Sequence, residues 1–344
     1  FNLYAPYVSI YMYSLGVNDA QIGLITSIGM VFQILFALLS GAITDKLGRK
    51  RTTFIFDIIA WSIPCLIWAF AQNFTYFLIA AIINSVWRVT ANSWMCLLVE
   101  DAKEEQLVHI YAWVHIAGLL AAFFAPIAGI FVGKFEVVPT MRVLYLIAFA
   151  MMTLKFIILN IYSTETRQGR RRMEETKNES VFSLLGQYGS VFKTILNTPE
   201  TLLTLGIMLV MSICTMINTT FWPLFVTEKV GISIKNVSLF HFMRSATMLI
   251  LYFVIIPKVN AYRFKKPLMT GFGLFIASQL LLISTPVKSY TLLIISTLLE
   301  AFSLSLINPL MDSLTVITVN PKERARIMSI LHVIMIGLTS PLFK

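Results

Sequence analysis

Eleven long apolar segments follow one another along the 344 residues of this chain, separated mostly by short polar connections. A helix needs about 20 consecutive apolar residues to cross a bilayer, and the nine middle segments reach that length. The chain begins at Phe1 inside an apolar run without a signal peptide, so we expect both ends to be truncated. The pattern predicts an all-α integral membrane protein. The segments lie at about residues 1–15, 20–44, 53–72, 74–98, 107–133, 140–162, 200–225, 236–258, 266–285, 289–316 and 327–344.

The composition excludes several classes of protein. Residues are 57% hydrophobic and only 13% charged, whereas soluble proteins have about 25% charged residues. A cytosolic enzyme is thereby excluded. The net charge of +10 comes from basic residues spread between the apolar runs, so we expect no nucleic-acid partner. Cys65, Cys96 and Cys214 each lie inside an apolar run, and we expect neither a disulfide, nor a metal site, nor a cofactor.

One longer polar stretch divides the chain. It follows the sixth segment, carries many charges, and separates an N-terminal bundle (1–162) from an incomplete C-terminal bundle (200–344), with a linker at 163–199. Of the 27 Lys and Arg residues, 18 fall on the side of this linker and five on the other. The positive-inside rule therefore places loops 45–52, 163–199 and 258–266 in the cytoplasm of a multi-pass plasma-membrane protein.

Weak similarity between the halves indicates an internal repeat. Lys103-Glu104 and Gly118-Leu119 recur 219 residues later as Lys322-Glu323 and Gly337-Leu338, in segments of the same hydropathy order. Around the basic loop the offset is 215, since Asp45 corresponds to Asn260. We therefore expect two six-helix bundles related by a pseudo-two-fold axis, with the twelfth segment missing.

The loop after the second segment carries a recognisable motif. It reads Gly41-Ala-Ile-Thr-Asp45-Lys46-Leu-Gly48-Arg49-Lys50-Arg51-Thr52 and closely resembles the G-x-L-a-D-r-x-G-r-k signature of the major facilitator superfamily. The resemblance implies two bundles around a central cavity that opens alternately to either side. It also implies a cytoplasmic latch in which Asp45 and Arg49 contact the start of the eleventh segment and the end of the fourth. The alternative is a loop that only fixes topology. The predicted latch residues are Gly41, Asp45, Gly48, Arg49, Glu100, Asp101 and Arg326.

Two charged residues lie deep inside predicted spans. Arg88 in the fourth segment costs at least about 2.5 kcal/mol at the span centre, so it must face a cavity or a partner. It resembles the arginine of the family's fourth-segment motif, which is linked to proton coupling, although Ala91 and Asn92 depart from that motif. Glu300 in the tenth segment lies at a similar depth and is a protonation candidate. We expect the two to neutralise each other or to exchange a proton and a solute; a static salt bridge is the alternative.

Further polar or aromatic residues inside the segments are candidates to line the cavity. Single membrane histidines are more often hydrogen-bonding packing residues than proton relays, and tyrosines near a segment end are often interface anchors. These candidates are Tyr7, Tyr11, Gln33, Asn84, Trp87, Asn92, His115, Asn218, Trp222, His241, Arg244 and Asn308.

The expected function follows from the resemblance. Ala125-Pro126-Ile-Ala-Gly129 loosely resembles the Gly-Pro-x-x-Gly-Gly element of family exporters, with Ala125 and Ile130 as departures. We expect a proton-coupled secondary transporter of a small organic solute, monomeric in the lipid bilayer, with export slightly favoured. A solute-uptake symporter and a transporter-like membrane sensor are the alternatives. Motifs of hydrolases, metalloproteases and phosphate loops are absent from the sequence, so we do not expect an enzyme.

Overall fold

The computed structural model describes residue 4 and residues 7–122, 131, 134–186, 188–232, 234–259 and 265–339. Within these ranges the regular secondary structure is helical. The α-helices are α1 Val8–Ser14, α2 Asp19–Leu47, α3 Arg49–Asp57, α4 Ile63–Ala69, α5 Phe74–Asn84, α6 Trp87–Val99, α7 Glu104–Ala122, α8 Val137–Tyr162, α9 Arg167–Glu175, α10 Val181–Gly186, α11 Tyr188–Asn197, α12 Pro199–Leu224, α13 Ile234–Val254, α14 Lys265–Ile283, α15 Tyr290–Ile317 and α16 Arg324–Thr339.

Eight helical stretches in the described ranges are long and apolar enough to cross a membrane. They confirm the prediction of an all-α membrane protein and coincide with eight of the nine full-length segments. The remaining predicted segments, 1–15, 107–133 and 327–344, each extend into residues outside the described ranges. The eight stretches are Asp19–Leu47, Arg49–Ala69, Phe74–Val99, Val137–Tyr162, Pro199–Asn218, Leu239–Lys258, Lys265–Ile283 and Tyr290–Ile317.

Local sequence signals set the ends of several helices. Helix α2 begins with a capping box, in which the Asn18 side chain accepts from Gln21 N at 2.9 Å and the Gln21 side chain accepts from Asn18 N at 3.1 Å. It ends at Gly48, whose φ of +85° is readily adopted by glycine. The Asn73 side chain caps α5 by accepting from Thr75 N at 3.0 Å. These polar caps satisfy backbone donors that a bilayer would otherwise leave unpaired.

The third predicted segment contains an irregularity. Helix α3 continues into α4 through a π-helical turn at Ile58–Ser62. The Ala60 carbonyl in this turn accepts a hydrogen bond from the Asn84 side chain at 2.7 Å. Wide turns of this kind recur at functional positions in helices. Here the turn is fixed by a polar side chain from α5.

Contacts divide the chain into two compact units. The first contains residues 1–101, 121–198 and 319–344, and the second contains 102–120 and 199–318. This grouping differs from the division by sequence order, because α7 groups with the second unit and α16 with the first. In the first unit, the Ser329 side chain of α16 donates to Ala37 O of α2 at 2.5 Å. In the second, Ala112 and Ile116 of α7 enter the apolar core.

Each unit has its own core and an apolar outer surface. An aromatic cluster that includes Tyr11, Phe77 and Tyr145 fills part of the first unit. Large apolar side chains such as Val31 and Ile250 are more than half exposed on their helices. Such faces suit lipid contact, since the bilayer removes them from water. The linker predicted at 163–199 is mostly helical (α9, α10 and α11) and belongs to the first unit up to residue 198.

Candidate functional site

Asp45, near the end of α2, is the centre of a buried group of charges. Arg49 Nη1 lies 3.2 Å from its Oδ1, and Arg172 Nη2 and Arg326 Nε lie 3.0 and 3.4 Å from its Oδ2. Asp45 is 1% exposed. Because these arginines belong to α3, α9 and α16, one carboxylate connects four helices of the first unit. We refer to Asp45, Arg49, Glu100, Arg172 and Arg326 as the charged cluster.

Arg49 is held a second time by Glu100 at the end of α6. Its Nε donates to Glu100 Oε2 at 2.9 Å and its Nη2 donates to Oε1 at 2.9 Å, which is the strong bidentate arrangement. The Thr166 hydroxyl donates to the same carboxylate at 2.6 Å. Asp101, the other acid predicted here, instead accepts from Arg167 N at 3.3 Å. Glu100 and Asp101 therefore both bind the chain near the start of α9.

Gly48 is required for two reasons. Its φ is +85°, and a Cβ at this position would lie 2.6 Å from Glu165 Oε2. The Glu165 carboxylate needs that space because it accepts from Arg49 N at 2.9 Å and Lys50 N at 3.0 Å. An acid at a helix N-terminus satisfies backbone donors and interacts favourably with the helix dipole. Glu165 therefore caps α3 and orients Arg49.

Gly41 permits the close approach of α2 and α16. A Cβ at position 41 would meet Arg326 Cα at 2.8 Å, Ala325 O at 2.9 Å and Tyr188 Oη at 2.7 Å. Two of these three atoms are backbone, so a side chain could fit only if the helices moved apart. The Tyr188 hydroxyl also accepts from Ala42 N at 3.2 Å, and burial raises its pKa.

The linker residues of the cluster are absent from the sequence prediction. Burial alone would lower the pKa of Arg172, but the charge of Asp45 and hydrogen bonds to Asp45 and Glu175 hold that pKa above its ordinary value. Lys46 donates to the carbonyls of Thr176, Lys177 and Glu179. The basic, polar composition of residues 163–199 predicted a linker between the bundles. It gave no indication of which of the four arginines in this linker would contact Asp45.

A second polar group surrounds Arg88 inside the first unit. Its Nε donates to Gln33 Oε1 at 3.1 Å, and its guanidinium lies 4.0 Å from the centre of the Trp87 ring. His332 of α16 is close enough to interact electrostatically with Arg88. The structure thus brings together three predicted residues, Gln33, Trp87 and Arg88, and adds His332, a polar residue within the last predicted segment that sequence reasoning passed over.

The other cavity candidates of the first unit have packing roles in this structure. The Asn84 amide binds the π-turn carbonyl, and the Asn92 amide donates to Ser40 Oγ at 2.9 Å and Ala325 O at 2.8 Å. Tyr11 is 0% exposed and donates to Trp68 O at 2.8 Å. Tyr7 packs against the same aromatic core. Tyr11 therefore contacts protein atoms and no open cavity, because its ring completes the aromatic cluster.

Glu300 lies in a polar group of the second unit. The Asn218 amide and Arg244 Nη1 both donate to its Oε1, the latter at 3.3 Å. Glu300 is 3% exposed. The acid, the arginine and the amide are all predicted site residues. Arg88 belongs to the other unit, and a pairing between it and Glu300 stays a prediction.

A half-exposed hydrogen-bonded pair lies elsewhere in the second unit. His115 Nε2 of α7 is 2.8 Å from Asp312 Oδ2 of α15, and the imidazole stacks on Tyr252 at 6.0 Å between ring centres. Asp312 is missing from the sequence prediction, although an acid within an apolar segment was a visible signal. Asn308 lies one turn before Asp312 on α15 and is half-buried.

The two remaining candidates for the cavity lining, His241 and Trp222, are neighbouring aromatic side chains. His241 lies 5.0 Å from Trp222 between ring centres, and Trp222 is a buried core residue. His241 and Arg244 lie on the same helix but have different partners, since His241 contacts Trp222 and Arg244 contacts Glu300. The motif Ala125–Gly129 lies outside the described residues, as does Asn260 of the repeat.

Among solved structures, several transporters are similar to this chain. The human organic anion transporter MFSD10 (TETRAN) has a TM-score of 0.69 at 16% identity, covering 96% of this chain and 79% of its own. The E. coli fucose:proton symporter FucP has a TM-score of 0.75 at 13% identity, covering 99% and 87%. A bacterial homologue of the iron transporter ferroportin, in an outward-facing state, has a TM-score of 0.70 at 12% identity, covering 100% and 89%. At these identities the likeness shows the fold alone.

Sequence comparison gives the family. No curated protein matches the sequence. The family model described as Major Facilitator Superfamily matches residues 1–340. Structural neighbours with the two-bundle, twelve-helix fold agree with this match. The chain belongs to the major facilitator superfamily and is a multi-pass membrane protein of the transporter type.

Proposed function

We propose that this protein is a monomeric secondary active transporter of the plasma membrane that moves a small organic solute by alternating access, coupled to protons. The family and the neighbouring structures support transport in general. The specific proposal of a gated, proton-coupled cycle depends on two polar groups described above. One is the charged cluster, and the other is the Glu300 group.

The charged cluster is the observation that carries the proposal. It joins α2, α3, α6, α9 and α16 through ion pairs with exposures near zero at Asp45 and Arg49. Buried ion pairs are poor sources of stability, but they have a definite geometry that is either formed or broken. Such a device suits a gate with two states better than a permanent joint. We assign it to the predicted cytoplasmic side, where it closes the transport path and must open once in each cycle.

Glu300 is our choice for the proton-carrying group. Its carboxylate faces one cation, Arg244, and one neutral donor, Asn218. Protonation would remove the negative charge and leave Arg244 without its partner, so the charge state of this group changes the energy of the unit around it.

Transport in proteoliposomes tests the proposal. Uptake of a panel of labelled solutes is measured with and without an imposed pH gradient, for the wild type, Glu300→Gln and the double variant Glu300→Gln/Arg244→Gln. Glu104→Gln, an exposed acid at the start of α7, is the matched control. We expect uphill accumulation to disappear in both Glu300 variants while solute exchange at equal pH persists.

Two outcomes would contradict the proposal. Uphill transport at the wild-type rate in Glu300→Gln would remove the assigned role of Glu300. Absence of any pH-dependent transport across the panel in the wild type would remove proton coupling itself.

The direction of transport is proposed as export, on the resemblance of Ala125–Gly129 to an exporter element. Uptake is the competing candidate, because two neighbouring structures are a fucose:proton symporter and a proton:xylose symporter. The polarity of the pH gradient that drives accumulation decides between them. An exporter that exchanges solute for protons accumulates solute in vesicles that are acidic inside, because protons leave as solute enters. A symporter accumulates solute when the outside is acidic, because protons and solute enter together.

A further inference from the structure

We propose that the transported solute is a small organic anion, bearing a carboxylate or phosphate group, and that Arg88 binds this group directly. The proposal rests on the transport function above and adds the chemical class of the solute. It begins from an imbalance of charge inside the first unit.

Arg88 lies near the middle of the membrane span Phe74–Val99. Its described contacts are an amide oxygen, Gln33 Oε1 at 3.1 Å, and an aromatic ring, Trp87 at 4.0 Å. Both are uncharged. A guanidinium carries five N–H donors in a fixed fork, and these two contacts engage only the Nε–H and the face of the group. Among the described residues of the first unit, no carboxylate lies within ion-pair distance of Arg88.

The neighbouring ionisable group does not offset the charge of Arg88. His332 of α16 interacts electrostatically with Arg88, and an imidazole adds positive charge when it is protonated. His332 therefore supplies no negative charge to the guanidinium, because an imidazole is either neutral or positive. Charged side chains inside membrane spans are normally paired, and an unpaired one marks a pathway for an ion or a solute.

The Glu300 group provides the contrast. There an acid, an arginine and an amide form a neutral set within the second unit. The chain is thus able to pair an intramembrane charge with its own residues, and it does so for Glu300. Among the described residues of the first unit the corresponding acid is missing around Arg88, and we assign its role to the anionic group of the solute.

The geometry around Arg88 fits an anion attached to an organic body. Because Gln33 Oε1 faces the Arg88 donor, the amide nitrogen of Gln33 points away from that bond as a further donor. The terminal nitrogens of Arg88 and this amide can both donate to an oxyanion, as in the bidentate recognition of carboxylates and phosphates. Trp87 is half-buried beside them and offers an aromatic surface for the carbon skeleton.

Binding is tested first, because it does not depend on transport. Thermal unfolding of the purified protein is followed at constant ionic strength with sodium benzoate, sodium succinate and sodium glycerol 3-phosphate as anionic probes. Tetraethylammonium is the cationic probe and fucose the neutral one. The variants are Arg88→Gln and Arg88→Lys, with Arg51→Gln, an exposed arginine of the same unit, as the control. Gel filtration verifies that each variant is folded and monodisperse.

We expect at least one anion to raise the melting temperature of the wild type and of Arg51→Gln. The effect should be absent in Arg88→Gln. In Arg88→Lys the apparent Kd should rise at least about tenfold, because lysine keeps the charge but loses the fork. If Arg88→Gln does not fold, the Arg88→Lys comparison decides the matter. Lack of stabilisation by every anion, or equal stabilisation of the Arg88 variants and the wild type, would overturn the proposal.

Counterflow in proteoliposomes with the best anion then separates this inference from the function on which it rests. Arg88-dependent binding without counterflow supports the anion site and contradicts the transport function. Counterflow of fucose or tetraethylammonium that is insensitive to Arg88→Lys supports transport and overturns the anion site.

Discussion

Replacing Asp45 with asparagine should release the gate that the charged cluster forms. Asp45 is 1% exposed and contacts three guanidinium groups within 3.4 Å. Losing one partner of a buried ion pair typically costs about 3–5 kcal/mol. Here each arginine keeps another acid, since Arg49 retains Glu100, and Arg172 and Arg326 retain Glu175 and Glu323.

The remaining acids and the oxygen of the new amide reduce the cost to about 2–3 kcal/mol. Such a change shifts the equilibrium between closed and open gate by about 30- to 150-fold, because about 1.4 kcal/mol corresponds to a factor of ten. The protein should still fold, since the apolar cores of both units do not contain Asp45.

The gate can be followed by labelling a cysteine at position 329. Ser329 is 0% exposed, and its side chain contacts Ala37 O of α2, so Ser329→Cys reacts only when α16 leaves α2. The three native cysteines are replaced by serine, and a membrane-impermeant maleimide is added to inside-out vesicles. In Asp45→Asn the labelling rate should rise by about 30- to 150-fold, the same factor by which the gate equilibrium shifts. Asp19→Asn, an exposed acid on the same helix, is the control. A rate within about twofold of that control would refute the assignment of Asp45 to a gate.

Three further predictions follow from single features. Hydrogen bonds from Arg171 and then Arg172 lower the pKa of Glu175 below its ordinary 4.5, so this stabilisation is complete above that pH and disappears as the pH falls through the lowered pKa. Hydrogen exchange of α9 should accelerate in that acidic range and lose its pH step in Glu175→Gln. Gly41→Ala should destabilise the protein by about 1–3 kcal/mol because α2 and α16 must separate, whereas Gly23→Ala, where a Cβ meets nothing within 4 Å, should leave the melting temperature unchanged. Single cysteines at positions 50 and 265 should be labelled from the cytoplasm only, and labelling of position 50 from outside would contradict the charge-based topology.

Most of the helical architecture was predictable because apolar length is a strong and local signal. The capping residues Asn18 and Asn73 also lie where the helices begin. Which helices pack together is harder to predict from the sequence. Sequence order predicted α7 in the first bundle and α16 in the second, and this division stays a prediction; contacts such as that between Ser329 and Ala37 place α16 in the first compact unit and α7 in the second. Contacts between distant segments have no periodic signal in a single sequence.

The sequence indicates a candidate residue where its type is unusual for its surroundings, and the site built from such residues stays a prediction. Arg88 and Glu300 were identified because charge is expensive inside a membrane. Arg172 and Glu165 were not, because charged residues are ordinary in a polar linker and only their contacts with Asp45 and the start of α3 distinguish them. Tyr11 shows the limit of residue type as a signal, since a tyrosine suits both a solute site and an aromatic core, and in this structure it packs in the core while its role at a solute site stays a prediction.

The π-helical turn at Ile58–Ser62 places the two halves of one span in different rotational registers. One residue adds about 100° of rotation to an α-helix. If the turn became α-helical without loss of a residue, Ile63–Ala69 would rotate by about that angle and carry Cys65 and Ala69 away from the aromatic core they now enter, whereas deleting one residue within 58–62 should give a continuous α-helix that keeps them there. The half that carries Arg49 and the half that packs against Tyr145 are oriented independently, although the sequence presents them as a single apolar run.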